Sequence, residues 1–201
     1  MGANIDPKPT VLAQFAVLGS VYARLLHSKS KPRVGLLSNG SEDHKGTALT
    51  RDAHQLLSRR DPAGDADFSY VGYVEGRDIF RGEVDVVVTD GFTGNVVLKS
   101  VEGAAEAILD MVREEVARSG LLSKLGAALM TGALKRLRRR TDYAEHGGAP
   151  LLGVNGVAIV GHGRSRAAAV RNGVLMARRF AADRVIERIA GDIAAFSVPH
   201  Q

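Results

Sequence analysis

The sequence contains no cysteine among its 201 residues. This absence excludes disulfide bonds, thiol catalysis and metal sites built from thiolates. No apolar run approaches the roughly 18 residues that a membrane-spanning helix requires, and the N-terminus lacks the basic and then apolar order of a secretory signal. The nucleotide-binding patterns GxxxxGK[ST] and GxGxxG are also missing, so neither ATP nor NAD binding is predicted. We therefore expect a soluble, cytoplasmic protein.

Hydrophobic residues make up 45% of the chain, which is enough to bury a substantial core. The length suits one large domain, residues 1–201, better than two small ones. The formal net charge of +5 indicates an anionic partner, which is a nucleic acid, an acidic protein or a membrane surface. The distribution of that charge has to decide among the three.

The first half of the chain alternates between helical and strand patterns. Helical spacing of apolar residues predicts helices over 9–27 and 47–59, and short apolar or β-branched runs predict strands over 33–37, 68–74 and 84–89. This order predicts an α/β fold with a mostly parallel sheet, flanked by helices on both faces and connected by right-handed crossovers. Ligands of such sheets bind beyond the carboxyl ends of the strands, here the loops 38–46 and 90–95.

The second half reads as mainly helical. Two long patterns over 95–118 and 121–140, joined or interrupted around 119–120 and again at 131–132, predict a protruding helical arm or hairpin. Asn155–Gly156 lies between two apolar runs, which is typical of the tight turn of a β-hairpin. A last helix is predicted from about 165 to 193.

The segment Asp90–Asn95 (DGFTGN) is the most informative one for chemistry. It lies between a predicted buried strand and a helix, and Gly91 and Gly94 permit a sharp turn there. The free amides of the helix start would bind an anion such as phosphate, supplemented by Thr93 and Asn95. Lys99, about one turn into the predicted helix, could face the same anion. The alternative is an ordinary strand-to-helix turn in which Asp or Asn caps the helix and Lys99 is solvated.

Three other segments contain polar groups that invite attention. The loop Asn39–Gly46 includes Lys45 and a histidine beside two acids, but that spacing matches no recognised metal site, and no metal is predicted. His162 lies between glycines ahead of a helix, where a ligand contact and a simple tight turn are both open interpretations. The segment TDYAEHGGAPLLG is interpreted as mainly structural.

Residues 119–141 form a basic amphipathic arm. Its leucine face and its arginines suit an anionic membrane surface or an acidic partner. RNA binding is disfavoured because no aromatic residue lies between Leu121 and Arg140 to stack on bases. A packed helix of an oligomer with a solvated basic face is the open alternative. The predicted contact residues are Leu125, Leu129, Met130, Lys135, Arg136 and Arg139.

Taken together, five stretches in order resemble one family, the PlsX-type phosphate acyltransferases of bacterial phospholipid synthesis. They are GANID, QFAVLGSVYA, RVGLLSNGSEDHKG, YVEGRDIFRGEVDVVVTDGFTGNVVLKSVEG and DYAEHGGAPLLGVNGVAIVGHGRS, and they cover nearly the whole chain. The resemblance implies an architecture like that of isocitrate and isopropylmalate dehydrogenases and of phosphotransacetylases. Family members are typically longer, with an upstream glycine-rich DAMGGD-like motif, so this chain would correspond to the C-terminal part.

The resemblance further implies reversible transfer of a fatty acyl group from acyl carrier protein to inorganic phosphate, without a metal or organic cofactor. A membrane-bound glycerol-3-phosphate acyltransferase would consume the acyl phosphate. The implied setting is a homodimer at the membrane periphery. From residue chemistry within these motifs, we predict Asn95, Lys99 and His162 as catalytic residues. The predicted phosphate- or substrate-binding residues are Asn4, Lys45, Asp90, Gly91, Thr93, Gly94 and Ser165.

Two other functional hypotheses remain open. If the family's active site needs the upstream part, this chain is a catalytically incomplete fragment or a module that binds acyl carrier protein or membrane through its arm. Nucleic-acid binding is the third hypothesis, and it predicts an affinity that falls steeply with salt.

Overall fold

A computed structural model describes residues 3–27, 29–60, 67–141, 147–161, 163 and 165–196, and within these ranges the side chains of residues 26, 27, 60 and 133–141 are not described. The described residues form six α-helices, five short strands and one 3₁₀ turn. The helices are α1 Pro9–His27, α2 Ala48–Arg60, α3 Gly91–Arg118, α4 Leu121–Thr141, α5 Ala167–Ala182 and α6 Val185–Ala195. The strands are β1 Arg33–Leu37, β2 Ser69–Val74, β3 Val86–Val88, β4 Ala149–Pro150 and β5 Ile159–Val160, and the 3₁₀ turn is Asp78–Phe80.

Three parallel strands form the main sheet in the order β2, β1, β3. This arrangement confirms the predicted α/β class and the bounds predicted for α1 and β1. The central strand β1 is buried along nearly its whole length, as a run of apolar residues predicts. The outer strands are less covered, and Val71 of β2 is 44% exposed. The cover predicted for β2 is therefore incomplete at Val71, although Tyr73 and Val74 of the same strand are buried.

The chain divides into two compact units, one of residues 1–97 and 181–201 and the other of residues 98–180. The core of the first unit combines α1, the sheet, α2 and the end of α6. Its buried residues include Leu12, Leu36, Leu57, Val88 and Phe196. Gly19 brings α1 directly against β3, because a Cβ atom at this position would collide with the side chain of Val86.

Asp85 connects the amino ends of β1 and β3 through its contacts with Arg33. Its carboxylate accepts the Arg33 backbone N–H at 2.9 Å and the Arg33 Nε–H at 3.2 Å, and it pairs with Lys29 at 3.1 Å. The backbone hydrogen bond from Arg33 is the largest cause that lowers the pKa of Asp85 from its ordinary 3.8 to about 2, and burial opposes the shift. The side chain is only 11% exposed, so solvent screens these contacts weakly.

Because the pKa of Asp85 is lower in the folded state, the unfolded chain binds more protons between about pH 4 and pH 2. The stabilisation is complete above about pH 4, amounts to about 2 kcal/mol, and is lost as the pH falls toward 2. We expect Asp85→Asn to remove this part of the acid dependence of unfolding in denaturant titrations between pH 4 and pH 2. Parallel curves for the variant and the wild type would contradict the assignment.

The second unit contains most of α3, α4, the β4–β5 pair and most of α5. The antiparallel pair joins Ala149 to Val160 and Pro150 to Ile159. A hairpin therefore forms where the sequence predicts one. The prediction of a tight turn at Asn155–Gly156 is wrong, because the eight residues 151–158 lie between the two strands. Of the two alternatives at residues 131–132, the structure has the joined one, since α4 is continuous there and the Thr131 hydroxyl donates to the Ala127 carbonyl at 3.3 Å.

Two helix boundaries differ from the sequence prediction. The helix predicted from residue 95 begins four residues earlier, at Gly91, so the glycine-rich segment forms its first turn instead of a loop. The single last helix predicted over 165–193 is two helices, α5 and α6. Arg184 separates them in the left-handed region at φ 51°, a conformation that a continuous α-helix cannot contain. None of the described helices is long and apolar enough to cross a membrane.

Candidate functional site

The start of α3 is held by Asp90, which acts as its N-cap. The carboxylate of Asp90 accepts the Thr93 N–H at 2.8 Å and the Thr93 hydroxyl at 2.7 Å. The Asp90 carbonyl accepts the Gly94 N–H at 3.0 Å, which is the first intrahelical bond. Gly91 and Gly94 are buried in this first turn. The helix start is thus a rigid strand-to-helix turn of the kind that the capping alternative predicts.

The fourth amide of the helix, that of Gly94, donates to the N-cap carbonyl. The three amides before it, those of residues 91–93, have no acceptor within the helix. Here the Gly91 N–H donates to the Asn4 carbonyl at 2.8 Å, and the Thr93 N–H donates to Asp90. Among the described residues, no acceptor contacts the N–H of Phe92, a residue that is 63% exposed. This amide lies at the positive end of the helix dipole, where an anion is favoured.

Asn4 connects the first and fourth family-like stretches of the sequence, GANID and the block that contains TDGFTGN. Its carbonyl fixes the N-terminal segment against the helix start through the bond to Gly91. The predicted residues Asn4, Asp90, Gly91, Thr93 and Gly94 are therefore brought together at one place. Asn95, one residue further along α3, is exposed.

Lys45 lies in the loop that follows β1, the strand next to β3. The loop is closed by the Asn39 Oδ1 atom, which accepts the Gly46 N–H at 2.9 Å, and by the Lys45 N–H, which donates to the Glu42 carbonyl at 2.9 Å. Gly46 has φ 83°, which favours glycine. Because β1 and β3 are parallel neighbours, this loop and the start of α3 follow the same edge of the sheet.

The remaining predicted residues lie in the second unit or outside the described residues. Lys99 is eight residues after the start of α3, more than the single turn predicted, and its ammonium pairs with Glu102 at 2.8 Å while the side chain is 68% exposed. Ser165 is partly buried near Gly161. His162 lies outside the described residues. The catalytic roles of Asn95, Lys99 and His162 stay predictions.

The arm predicted for membrane or carrier contact is α4. The side chains of Leu125, Leu129 and Met130 are exposed, and Leu129 reaches 87%. Leu121 and Leu122 are also exposed. The side chains of Lys135, Arg136 and Arg139 lie outside the described residues, so the basic side of the arm stays a prediction.

A cluster that the sequence interpretation missed surrounds His54 on α2. Its Nδ1 atom is 2.7 Å from the Tyr70 hydroxyl, and its ring stacks on that of Tyr73 with 4.5 Å between centroids. Burial raises the pKa of Tyr70, and the neighbouring Tyr73 adds to the shift, so Tyr70 stays protonated. Helical periodicity marks His54 only as one polar residue of α2, and no local signal in the sequence pairs it with two strand residues. Among the described residues, no group of three potential metal ligands occurs.

Comparison with known proteins gives the family. The family model described as "Fatty acid synthesis protein" matches residues 1–188. A phosphate acyltransferase of Myxococcus xanthus is 52% identical over 203 residues, covering 99% of this chain and 56% of that protein. Those of Geobacter sulfurreducens and Syntrophotalea carbinolica are 51% and 48% identical and cover 94% and 96% of this chain. The chain spans 53% of the length of each of these two relatives. With matches along nearly its whole length, the chain belongs to the fatty acid synthesis protein family.

Proposed function

We propose that this chain is the C-terminal part of an enzyme that transfers a fatty acyl group from acyl carrier protein to inorganic phosphate. The product is an acyl phosphate for phospholipid synthesis. One observation carries the proposal: proteins named phosphate acyltransferase share 51% and 52% identity with the chain across 94% and 99% of its length. The capped start of α3, with the Phe92 amide at the positive end of the helix dipole, supports a phosphate site in this part of the enzyme.

The reaction needs no nucleophile from the protein. An oxygen of phosphate attacks the thioester carbonyl carbon, a carbon–oxygen bond forms, and the carbon–sulfur bond breaks as the carrier thiolate leaves and accepts a proton. The protein's tasks are to hold phosphate, to position the thioester and to stabilise the charge that develops on the carbonyl oxygen.

The helix start suits phosphate only if a cation offsets the carboxylate of Asp90. Asp90 already accepts two bonds from Thr93, so its role in the proposal is to hold Thr93 and the helix start in place. A phosphate beside the Phe92 amide would be repelled by this carboxylate. We therefore assign Lys45, on the loop along the same sheet edge, to provide the balancing charge.

The proposal is tested by forming acyl phosphate from long-chain acyl carrier protein and phosphate and trapping it with hydroxylamine. We expect Asn95→Ala and Lys99→Ala to reduce the rate at least about tenfold, because both residues are proposed to contact the reacting groups. Ser100→Ala, an exposed polar change on the same helix, is the matched control and should leave the rate unchanged. Rates equal to that of the wild type in Asn95→Ala and Lys99→Ala, measured in folded protein that forms product, would contradict the assignment of Asn95 and Lys99.

The same assay separates the enzyme from the second candidate function. The exposed leucines of α4 favour a module that docks on acyl carrier protein or at a membrane surface. A chain that binds acyl carrier protein but forms no trapped product supports this module or an enzyme completed by a further part. Product from the chain alone supports the enzyme. Homodimer formation and peripheral membrane association belong to the same proposal.

A further inference from the structure

A cavity of about 310 Å³ lies against the exposed side of α2 in the first unit. None of its residues belongs to the start of α3. Five of the six come from three successive turns of α2, and the sixth comes from the loop after β1. The lining residues are Asp43, Arg51, His54, Gln55, Ser58 and Arg59.

Nδ1 of His54 pairs with the Tyr70 hydroxyl at 2.7 Å. Burial keeps Tyr70 protonated, so its O–H is able to donate to that nitrogen. In the neutral tautomer whose Nδ1 accepts this bond, the proton resides on Nε2. Nε2 is on the side of the ring that faces Ser58, with 3.4 Å to the Ser58 hydroxyl. In that tautomer His54 presents a hydrogen-bond donor to the cavity.

The other lining groups are mostly donors as well. Arg51 and Arg59 contribute guanidinium groups, and Ser58 and Gln55 contribute a hydroxyl and an amide. Arg51 uses one N–H to hold the Gly46 carbonyl at 2.6 Å and retains others. The one carboxylate, that of Asp43, is 98% exposed and lies 4.0 Å from Nε2 of His54. An exposed loop carboxylate can turn outward when an anion enters.

Behind His54, the ring of Tyr73 fixes the imidazole by stacking. Tyr73 is 7% exposed, and its buried hydroxyl has no hydrogen-bond partner in the part of the chain that the structure describes. Burial raises the pKa of Tyr73, the Arg51 charge opposes the shift and the Asp43 charge adds to it. The hydroxyl therefore lies within the electrostatic reach of two cavity residues, in a wall that is preorganised and rich in donors.

We propose that this cavity binds a phosphoryl group, as orthophosphate or as a small phosphate monoester. Two guanidinium groups, a hydroxyl and an imidazole N–H form the donor set that suits a doubly charged tetrahedral anion. The volume exceeds that of an orthophosphate ion and leaves room for a small organic group. This second anion site does not depend on the site proposed at the start of α3.

The test follows the imidazole nitrogen resonances of His54 in the ¹⁵N-labelled full chain, assigned by comparison with His54→Gln. Orthophosphate and ethyl phosphate are titrated separately at constant ionic strength, so that the two arms distinguish the free ion from an ester. We expect a saturable change in at least one arm. Arg59→Glu should weaken the binding at least about tenfold, since it replaces a charged donor with a repelling charge. Ser58→Ala should weaken it by a smaller factor.

The matched control is Arg178→Glu, the same charge change at an exposed position of α5, which should leave the titration unchanged. A lack of saturation in both arms overturns the proposal, and so does a change that persists with the same midpoint in Arg59→Glu. Thr93→Val separates this site from the proposed acyl-transfer site. The His54 response should survive that substitution, and its loss would show one shared site and overturn the proposal.

Discussion

Replacing Gly147 by alanine should destabilise the second unit by about 3 kcal/mol. Gly147 has φ 77°, where a residue with a side chain is strained. The added methyl group would collide with the backbone nitrogen of Gly173 in α5. Gly173 leaves equally little space, because a Cβ atom on it would lie 2.9 Å from the Gly147 carbonyl oxygen. Backbone meets backbone here, so no side-chain rotation can relieve the collision.

The measurement is denaturant unfolding followed by a probe of the second unit, for example amide exchange of α5. Gly156→Ala is the matched control, since its methyl group would meet no atom within 4 Å. The control should change the free energy of unfolding by less than about 0.5 kcal/mol. A Gly147→Ala variant as stable as the control would show that the loop does not approach α5 as closely as described.

Replacing Leu36 by alanine should cost the first unit about 3 kcal/mol. Leu36 is fully buried in the central strand β1 and belongs to the core formed with α1 and α2. Leu36 lies between Tyr73 of β2 and Val88 of β3, and the sheet holds both strands in place. The neighbouring side chains can therefore move only partly into the space that the three lost carbon atoms leave.

The free energy of unfolding by urea measures this loss. Leu129→Ala removes the same atoms from a side chain that is 87% exposed and is the matched control. We expect the control to lie within about 0.5 kcal/mol of the wild type. Equal losses in the two variants would contradict the position of β1 at the centre of the core.

Local patterns predict the elements of the first half well because each signal there is local. The apolar spacing that predicts α1 and the proline-bounded apolar run that predicts β1 are each contained in one short segment of the chain. The break at Arg184 has no such signal, because arginine adopts the left-handed region only where its surroundings require it. The sequence predicts too late a start for α3, because Gly91 and Gly94 disfavour a helix and indicate a loop. Asp90 nevertheless caps a helix that contains both glycines.

The candidate site shows the same division between local and distant information. The cap at Asp90 is three residues from its partner Thr93, so the sequence alone predicts a capped helix start as the alternative to an anion site. The bond from Gly91 to Asn4 spans most of the first unit, so only the resemblance to a family drew attention to Asn4. The contact of His54 with Tyr70 depends on the register between α2 and β2, which no propensity encodes.

The first unit is assembled from two stretches far apart in the chain, and this affects the order of events during synthesis. Phe196, at the end of α6, lies in the same buried core as Leu12 of α1. Arg24 of α1 also pairs with Asp192 of α6. Domains generally fold as units while the N-terminal part leaves the ribosome first. The face of α1 that receives α6 therefore stays uncovered until the residues of α6 have been translated. A nascent chain halted at residue 180 would expose that apolar face to chaperones and proteases.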